Sequence, residues 1–143
     1  MTDTAPHGLR LTVDTAPPDG FRAGLLDSIT DYNSRTVQGD LSRVAVMLHD
    51  TDGVLAGGLS GSLYWDWMFV AALWVADGWR GRGVGGTLLA AAERHAAAAG
   101  CHSVWLDTFQ ARDFYLKQGY TVFGALEDYP PGQTRSFLRK RIA

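Results

Sequence analysis

The stretch from Leu73 to Leu89 constrains the fold more than any other. An apolar run ends at Val75, Asp77 to Trp79 make a short turn, and Arg80-Gly81-Arg82-Gly83-Val84-Gly85-Gly86 then opens onto an alanine-rich helix. A strand that feeds a glycine loop at a helix start is a ready-made anion site. The first amides of the helix have no intrahelical partner, and the helix dipole puts positive potential at that end. Glycines let the backbone come close to a phosphate without a Cβ in the way. Arg80 and Arg82 add planar forks suited to phosphate oxygens. The stretch therefore predicts a pyrophosphate-bearing cofactor.

Three loop types bind such groups. Gly81-x-Gly83-x-x-Gly86 fits the dinucleotide fingerprint literally, and Asp107 lies about where a ribose-binding acid is expected. Against it, Asp77 to Arg80 separate the strand from the first glycine, and too few residues follow Gly86 to complete a doubly wound sheet. A P-loop fails because Gly86, not lysine, precedes Thr87. The third is Arg/Gln-x-x-Gly-x-Gly/Ala, present as Arg80-x-x-Gly83-x-Gly85, which resembles the coenzyme A loop of the GNAT N-acetyltransferases.

Composition narrows the classes. A chain of 143 residues is expected to form a single domain, 1–143, large enough to bury a real core. With 46% hydrophobic and 20% charged residues it reads as globular. A formal net charge of −2 argues against a nucleic-acid partner, although arginines cluster at 80–82 and 135–141. Cys101 is the only cysteine, so neither an intrachain disulfide nor a cysteine metal site is expected. The first residues lack a basic segment followed by an apolar core, and no apolar run has membrane-spanning length. The expectation is a cytoplasmic protein with no membrane and no metal.

Along the chain, residues 1–7 are expected to be loose. Leu9 to Val13 alternate as a strand, and Pro17 to Gly20 break it. Phe21, Leu25, Ile29 and Tyr32 recur at helical spacing, and Ser34 to Leu41 read as a loop or a short second helix. Val44–Leu48 and Val54–Tyr64 are strands flanking the turn signal Asp50 to Gly53. Trp67–Val75 is so continuously apolar that it predicts a central strand covered on both faces. A helix from Val84 to Ala99 ends at Gly100, a strand follows at Ser103–Asp107, and a short helix from Ala111 ends at Gly119. Tyr120–Phe123 and Thr134–Arg141 close the chain as strands. The fold class is α/β (α+β mixed): a mixed, mostly antiparallel twisted sheet of six to seven strands with helices on both faces.

That element order is similar to the GNAT fold. A second motif joins the first: Ala111-Arg112-Asp113-Phe114-Tyr115-Leu116-Lys117-Gln118-Gly119-Tyr120 resembles the family's Ala-x-x-Phe/Leu-Tyr-x-x-x-Gly-Phe/Tyr segment, placed after the strand that follows the glycine helix. The resemblance runs from about Leu9 and is strongest from Leu73 to Tyr120; the runs at 106–109 and 127–132 resemble a bacterial small-molecule branch. It implies acetyl-CoA as cosubstrate and an N-acetyltransferase acting by direct transfer on the primary amine of a small molecule. A catalytically silent coenzyme A-binding or regulatory module is the alternative, and a homodimer is compatible with the family.

The resemblance also implies roles. The pantetheine arm would lie between two parted strands, Trp67–Val75 and Ser103–Asp107, with Leu73, Trp74 and Val75 offering backbone groups, one of them to the thioester oxyanion. Gly81, Gly83, Val84, Gly85, Gly86 and Thr87 would hold the pyrophosphate, with Arg80 and Arg82 as charge partners. Tyr115 would be the general acid toward the departing thiolate, and an ordinary phenol, with a pKa of about 10, is protonated for that task. Two positions depart from the family pattern. Thr108 stands where Asn is frequent, leaving a smaller hydrogen-bonding group for the pantetheine. Ala71 and Ala72 stand where relatives often carry a carboxylate, so the base stays open among Asp31, Asp66, Asp107, His49 and Glu127. Tyr64, Trp65 and Trp67, with Tyr32 and Tyr129, are candidates for an acceptor pocket, and Asn33 is a further one. His7, His95 and His102 read as structural.

Overall fold

A computed structural model describes the backbone of residues 2–143 and the side chains from residue 5 onward. The chain forms two compact units, Met1–Gly39 and Asp40–Ala143. In the first, β1 (Thr2–Thr4) and β2 (Arg10–Thr12) pair antiparallel, Thr2 opposite Thr12, around a single 3-10 turn at Pro6–Gly8. Residues 2–4, expected to be loose, are therefore a strand, because Arg10–Thr12 offers them a ladder. That two-stranded sheet is separate from the main one. Helix α1 (Phe21–Ser34) follows Gly20, whose φ of 80° makes the left-handed turn into the helix. Its last turn is tied by Ser34 Oγ donating to the Asp31 carbonyl and by an exposed Asp31–Arg35 pair. Residues 37–41 continue as a loop without a second helix.

The second unit is a six-stranded sheet in the order β3-β4-β5-β6-β8-β7. The strands are β3 (Ser42–His49), β4 (Leu55–Tyr64), β5 (Trp67–Val75), β6 (Ser103–Thr108), β7 (Thr121–Glu127) and β8 (Thr134–Arg141). All neighbours are antiparallel except β5 and β6, which run parallel and are joined through helix α2 (Val84–Ala98). The β3–β4 turn is built by Asp50, whose Oδ1 accepts from the amides of Asp52 and Val54, with Gly53 at φ 81°. β7 runs four residues past the expected Phe123, since the ladder with β8 continues to Glu127 opposite Thr134.

One face of this sheet is the core. Leu59 and Leu63 of β4, Met68 and Val70 of β5, Val104 and Leu106 of β6 and Leu138 of β8 alternate inward and meet Leu88, Leu89, Ala92 and Ala96 of α2. Those four helix positions follow the 3.6-residue period that places one stripe against the sheet. Helix α3 (Arg112–Lys117) adds Tyr115 to the same cluster, and Phe114 packs against it. Gly100 and Gly119, at φ 98° and 93°, end the two helices as the sequence predicts. The apolar β5 is central but not covered throughout: Ala71, Ala72 and Trp74 are exposed. Among the described residues no helix is long and apolar enough to cross a membrane.

A polar network buttresses the back of this core. Tyr120 is buried and donates to Glu93 Oε2 at 2.7 Å, while Lys140 Nζ donates to Glu93 Oε1 at 3.0 Å. Burial first, then the hydrogen bond and charge of Glu93, push the Tyr120 phenol up. Glu93→Ala strands a partly buried ammonium and a buried hydroxyl together, and should cost about 3 kcal/mol in urea unfolding. Adding Lys140→Met should recover part of that loss, because no unpaired charge then remains. Equal midpoints for Glu93→Ala and the parent would refute the role of this network.

Candidate active site

β5 and β6 begin as a regular parallel pair: Trp67 opposite Ser103, Met68 opposite Val104, Phe69 opposite Trp105. There the pairing stops, although β5 continues to Val75 and β6 to Thr108. A bulge explains the parting. On the other side of β5, Ser60 faces Ala72 while Gly61 faces Val70, so Ala71 is an extra residue that bends the strand away. β6 meanwhile stays paired to β8 through Thr108 opposite Ser136. The split is thus a local irregularity of β5 at the residue after Val70. This is why Ala71, Ala72 and Trp74 are exposed in a strand that reads as fully buried.

A cavity of about 280 Å³ opens at the gap, lined by Val70–Leu73 of β5, Asp107–Ala111 at the end of β6, Tyr115 of α3 and Arg135 of β8. Tyr115 is only 6% exposed, and its ring meets Phe114 and Tyr120 edge-on. Burial pushes its phenol up to about 12, above the ordinary value expected from sequence. Asp107 is held by Arg135 Nη1 at 2.8 Å. The guanidinium lies over the Tyr129 ring at 4.2 Å and the Phe109 ring at 5.5 Å, and its buried Nε has no hydrogen-bond partner. Thr108 Oγ1 accepts from the Ala111 amide at 3.1 Å, fixing the turn into α3 and leaving its own proton to donate.

The glycine loop leaves the far end of β5 through a 3-10 turn at Asp77–Trp79. Gly81 and Gly83 sit at φ 75° and 79°, and a Cβ at either would meet nothing within 4 Å, so these two glycines serve the turn itself and face open space. Gly85 and Gly86 serve packing: a Cβ would lie 3.2 Å from the Phe114 ring and 3.4 Å from Gln118 respectively. The first turn of α2 closes with the Thr87 amide on the Gly83 carbonyl at 3.0 Å, so helix geometry leaves the amides of 84–86 without an intrahelical acceptor. Thr87 Oγ1 donates to that same carbonyl. Arg80 is a brace as well as a surface charge: its Nε donates to the Val75 carbonyl at 3.0 Å and its Nη1 meets Asp77 at 3.0 Å. Arg82 lies over the Trp79 ring at 5.2 Å.

Other sequence candidates fall elsewhere. Tyr64, Trp65 and Trp67 lie at the β4–β5 hairpin, at the end of β5 that is still paired to β6. None of the three lines the cavity. Asp66 is in that hairpin at φ 65°, His49 ends β3 and Glu127 ends β7; of the carboxylates and histidine named as possible bases, Asp107 is the one that lines the cavity. Asp31, Tyr32 and Asn33 belong to the first unit, where the Asn33 carbonyl accepts from Thr36 and Val37. Cys101 is buried, and desolvation with the charge of Asp66 raises its thiol, which makes it a poor nucleophile. Arg135 and Phe109 carry no assigned role in the sequence reading; the arginine cluster at 135–141 and the run at 106–109 are the signals that touch them. Among the described residues no group of three or more His, Cys, Asp or Glu side chains could hold a metal.

A parallel strand pair parted by a bulge, beside a glycine loop at a helix start, is a site for an extended ligand with an anionic end, in a mixed α/β fold. The chain belongs to the GNAT acetyltransferase family: the "Acetyltransferase (GNAT) family" pattern matches residues 14–120. It is 44% identical over 93 residues to the blasticidin-S acetyltransferase of Streptomyces morookaense, covering 63% of this chain and 68% of that protein. It is 31% identical over 132 residues to an acetyltransferase of Agrobacterium fabrum, covering 90% and 96% of the two chains. The crystal structure of an acetyltransferase from Bacillus cereus superposes with a TM-score of 0.82 at 28% identity, covering 91% of this chain and 97% of that one. The protein is an acetyltransferase, and acetyl-CoA is its cosubstrate, as for the family.

Proposed function

We propose that this chain transfers the acetyl group of acetyl-CoA to the primary amine of a small molecule by direct attack, in the gap between β5 and β6. The observation that carries this reading is the end of their pairing at Phe69–Trp105, with buried Tyr115 in the wall of the resulting cavity. The free edge of β5 from Leu73 to Val75 offers backbone groups to the pantetheine arm, and an amide there serves the thioester oxygen. The amides of 81–86 and the left-handed turns at Gly81 and Gly83 fit a diphosphate. Tyr115 donates to the sulfur as it leaves, and Thr108 keeps a proton for the arm. The kinship with blasticidin-S acetyltransferase supports a small-molecule acceptor. The free thiol of Cys101 suits a cytoplasmic protein.

Arg82 is the phosphate partner in this reading, since Arg80 is already committed to Val75 and Asp77. Arg82→Ala should raise KM for acetyl-CoA about fivefold at low ionic strength, and less at high salt, as expected of an exposed charge. An unchanged KM at low salt removes Arg82 from the site. The activity itself is tested by free-thiol release from acetyl-CoA with a panel of amines that includes blasticidin S, followed by mass analysis of the products. An acetylated amine is expected; acetyl-CoA binding without turnover across the panel would sink the reading.

A further inference from the structure

We propose that the acceptor carries a carboxylate, or an equivalent anion, close to its reacting nitrogen, and that Asp107 and Arg135 read the two charges as a pair. This inference rests on the transfer reading above and narrows it.

The charge of the cavity is the first argument. Its lining holds one acid, Asp107, one base, Arg135, and the neutral polar groups of Tyr115, Thr108 and Gln110 among apolar side chains. The acid and base already neutralise one another at 2.8 Å. Such a wall has no net field for a polycation: each further ammonium would find no counter-charge and would meet the guanidinium. A lone monocation fares little better, because Asp107 is already half satisfied. A zwitterion fits both halves. Its ammonium takes Asp107 Oδ2, which the Arg135 bond at Oδ1 leaves available. Its carboxylate takes the guanidinium edge not engaged with Asp107, in the planar geometry that favours carboxylates.

The second argument is how Arg135 is held. An arginine on a sheet ordinarily extends its head into water. Here the guanidinium is clamped against Tyr129 and Phe109, and the side chains of Arg135 and Asp107 are only 21% and 27% exposed. The fold also leaves Arg135 Nε buried without a partner, a penalty that stability alone would remove. A guanidinium fixed at such a cost in the wall of the cavity that Tyr115 also lines is preorganised for a ligand, and it enters the complex with little rotamer freedom left to lose.

The chemistry balances with this acceptor. Asp107 holds the incoming ammonium, and one proton leaves to solvent to free the nitrogen lone pair. The N–C bond to the acetyl carbon forms, the C–S bond breaks under the hydrogen bond of the Tyr115 hydroxyl to the sulfur, a second nitrogen proton is released to solvent, and the thiolate takes one up from solvent. The products are an N-acetylated carboxylate and the free thiol.

The test compares matched acceptors by thiol release: β-alanine and longer amino acids against alkylamines of the same length without the carboxylate, with spermidine as a polycation. The parent enzyme should favour the carboxylate-bearing partner in kcat/KM by roughly ten- to a hundredfold, the worth of a charged hydrogen bond. In Arg135→Gln that preference should fall to within about threefold, while Arg135→Lys, which keeps the charge but not the fork, retains part of it. Should Arg135→Gln fail to fold, simple carboxylates such as propionate must still compete with the amine in the parent enzyme. Alkylamines or spermidine used as well as the amino acids, a preference that survives Arg135→Gln, or no competition by propionate would overturn the inference while leaving acetyl transfer intact. No transfer to any amine, with acetyl-CoA still raising the melting temperature, would instead overturn the transfer reading and this inference with it.

Discussion

Tyr115→Phe should lower kcat roughly a hundredfold while KM for acetyl-CoA stays within about twofold. The substitution keeps the ring that packs edge-on against Phe114 and Tyr120 and removes only the hydroxyl. Because burial holds the phenol at about 12, Tyr115 is a protonated donor throughout the working pH range. The departing thiolate, whose thiol has an ordinary pKa of about 8.5, is a weaker base than this phenolate, so complete proton transfer lies about 5 kcal/mol uphill. The hydroxyl therefore acts chiefly by hydrogen bonding to the sulfur as charge develops there, more so than an unperturbed tyrosine would. It follows that Tyr115 contributes no alkaline limb to the pH–rate profile below about pH 10, and any limb near neutrality belongs to the acceptor amine or another group. The same shift bears on stability. The folded phenol is raised, so its contribution is complete below about pH 10, the unfolded value, and is lost as pH rises through about 12. Single-turnover kinetics checks the first claim, and an unchanged chemical step would take Tyr115 out of the mechanism.

What could be read from the chain follows from how local each feature is. The left-handed turns at Gly81 and Gly83 need glycine for backbone reasons alone, so the loop was legible before any fold was known. Gly85 and Gly86 look identical in sequence but are glycines because α3 presses on them, a fact that exists only in three dimensions. β5 was legible as a central strand, yet its apolar run was misread as double coverage; the bulge at Ala71 leaves no mark in composition. The last residues of β7 include Gly124 and Ala125, poor strand formers, and are held extended by their ladder with β8. Asp107 and Arg135 are 28 residues apart and meet because β6 and β8 are antiparallel neighbours. No spacing rule announces such a pair. The aromatic run at 64–67 is the opposite case: it is conspicuous in sequence, but it lies at the end of β5 where the ladder with β6 is still closed.

The geometry that opens the gap also makes its most demanding stability prediction. A Cβ built on Gly61 would lie 2.5 Å from the Phe69 carbonyl oxygen, and both are backbone, so neither can swing aside. Gly61 sits at the bulge opposite Val70, and Phe69 is the last residue of β5 that pairs with β6. Gly61→Ala must therefore push β4 from β5 at the point where the cleft begins. A loss of about 3 kcal/mol or more is expected, a fall of about 10 °C in melting temperature for a domain of this size. Because the displaced backbone forms the root of the gap, the fraction that stays folded should also lose kcat/KM. Gly58→Ala is the matched control: it lies on the same strand, and its Cβ would approach the Val46 carbonyl at 3.5 Å, an ordinary contact. If the two variants melt together, the close approach at Gly61 does not exist, and the bulge cannot be the reason the strands part.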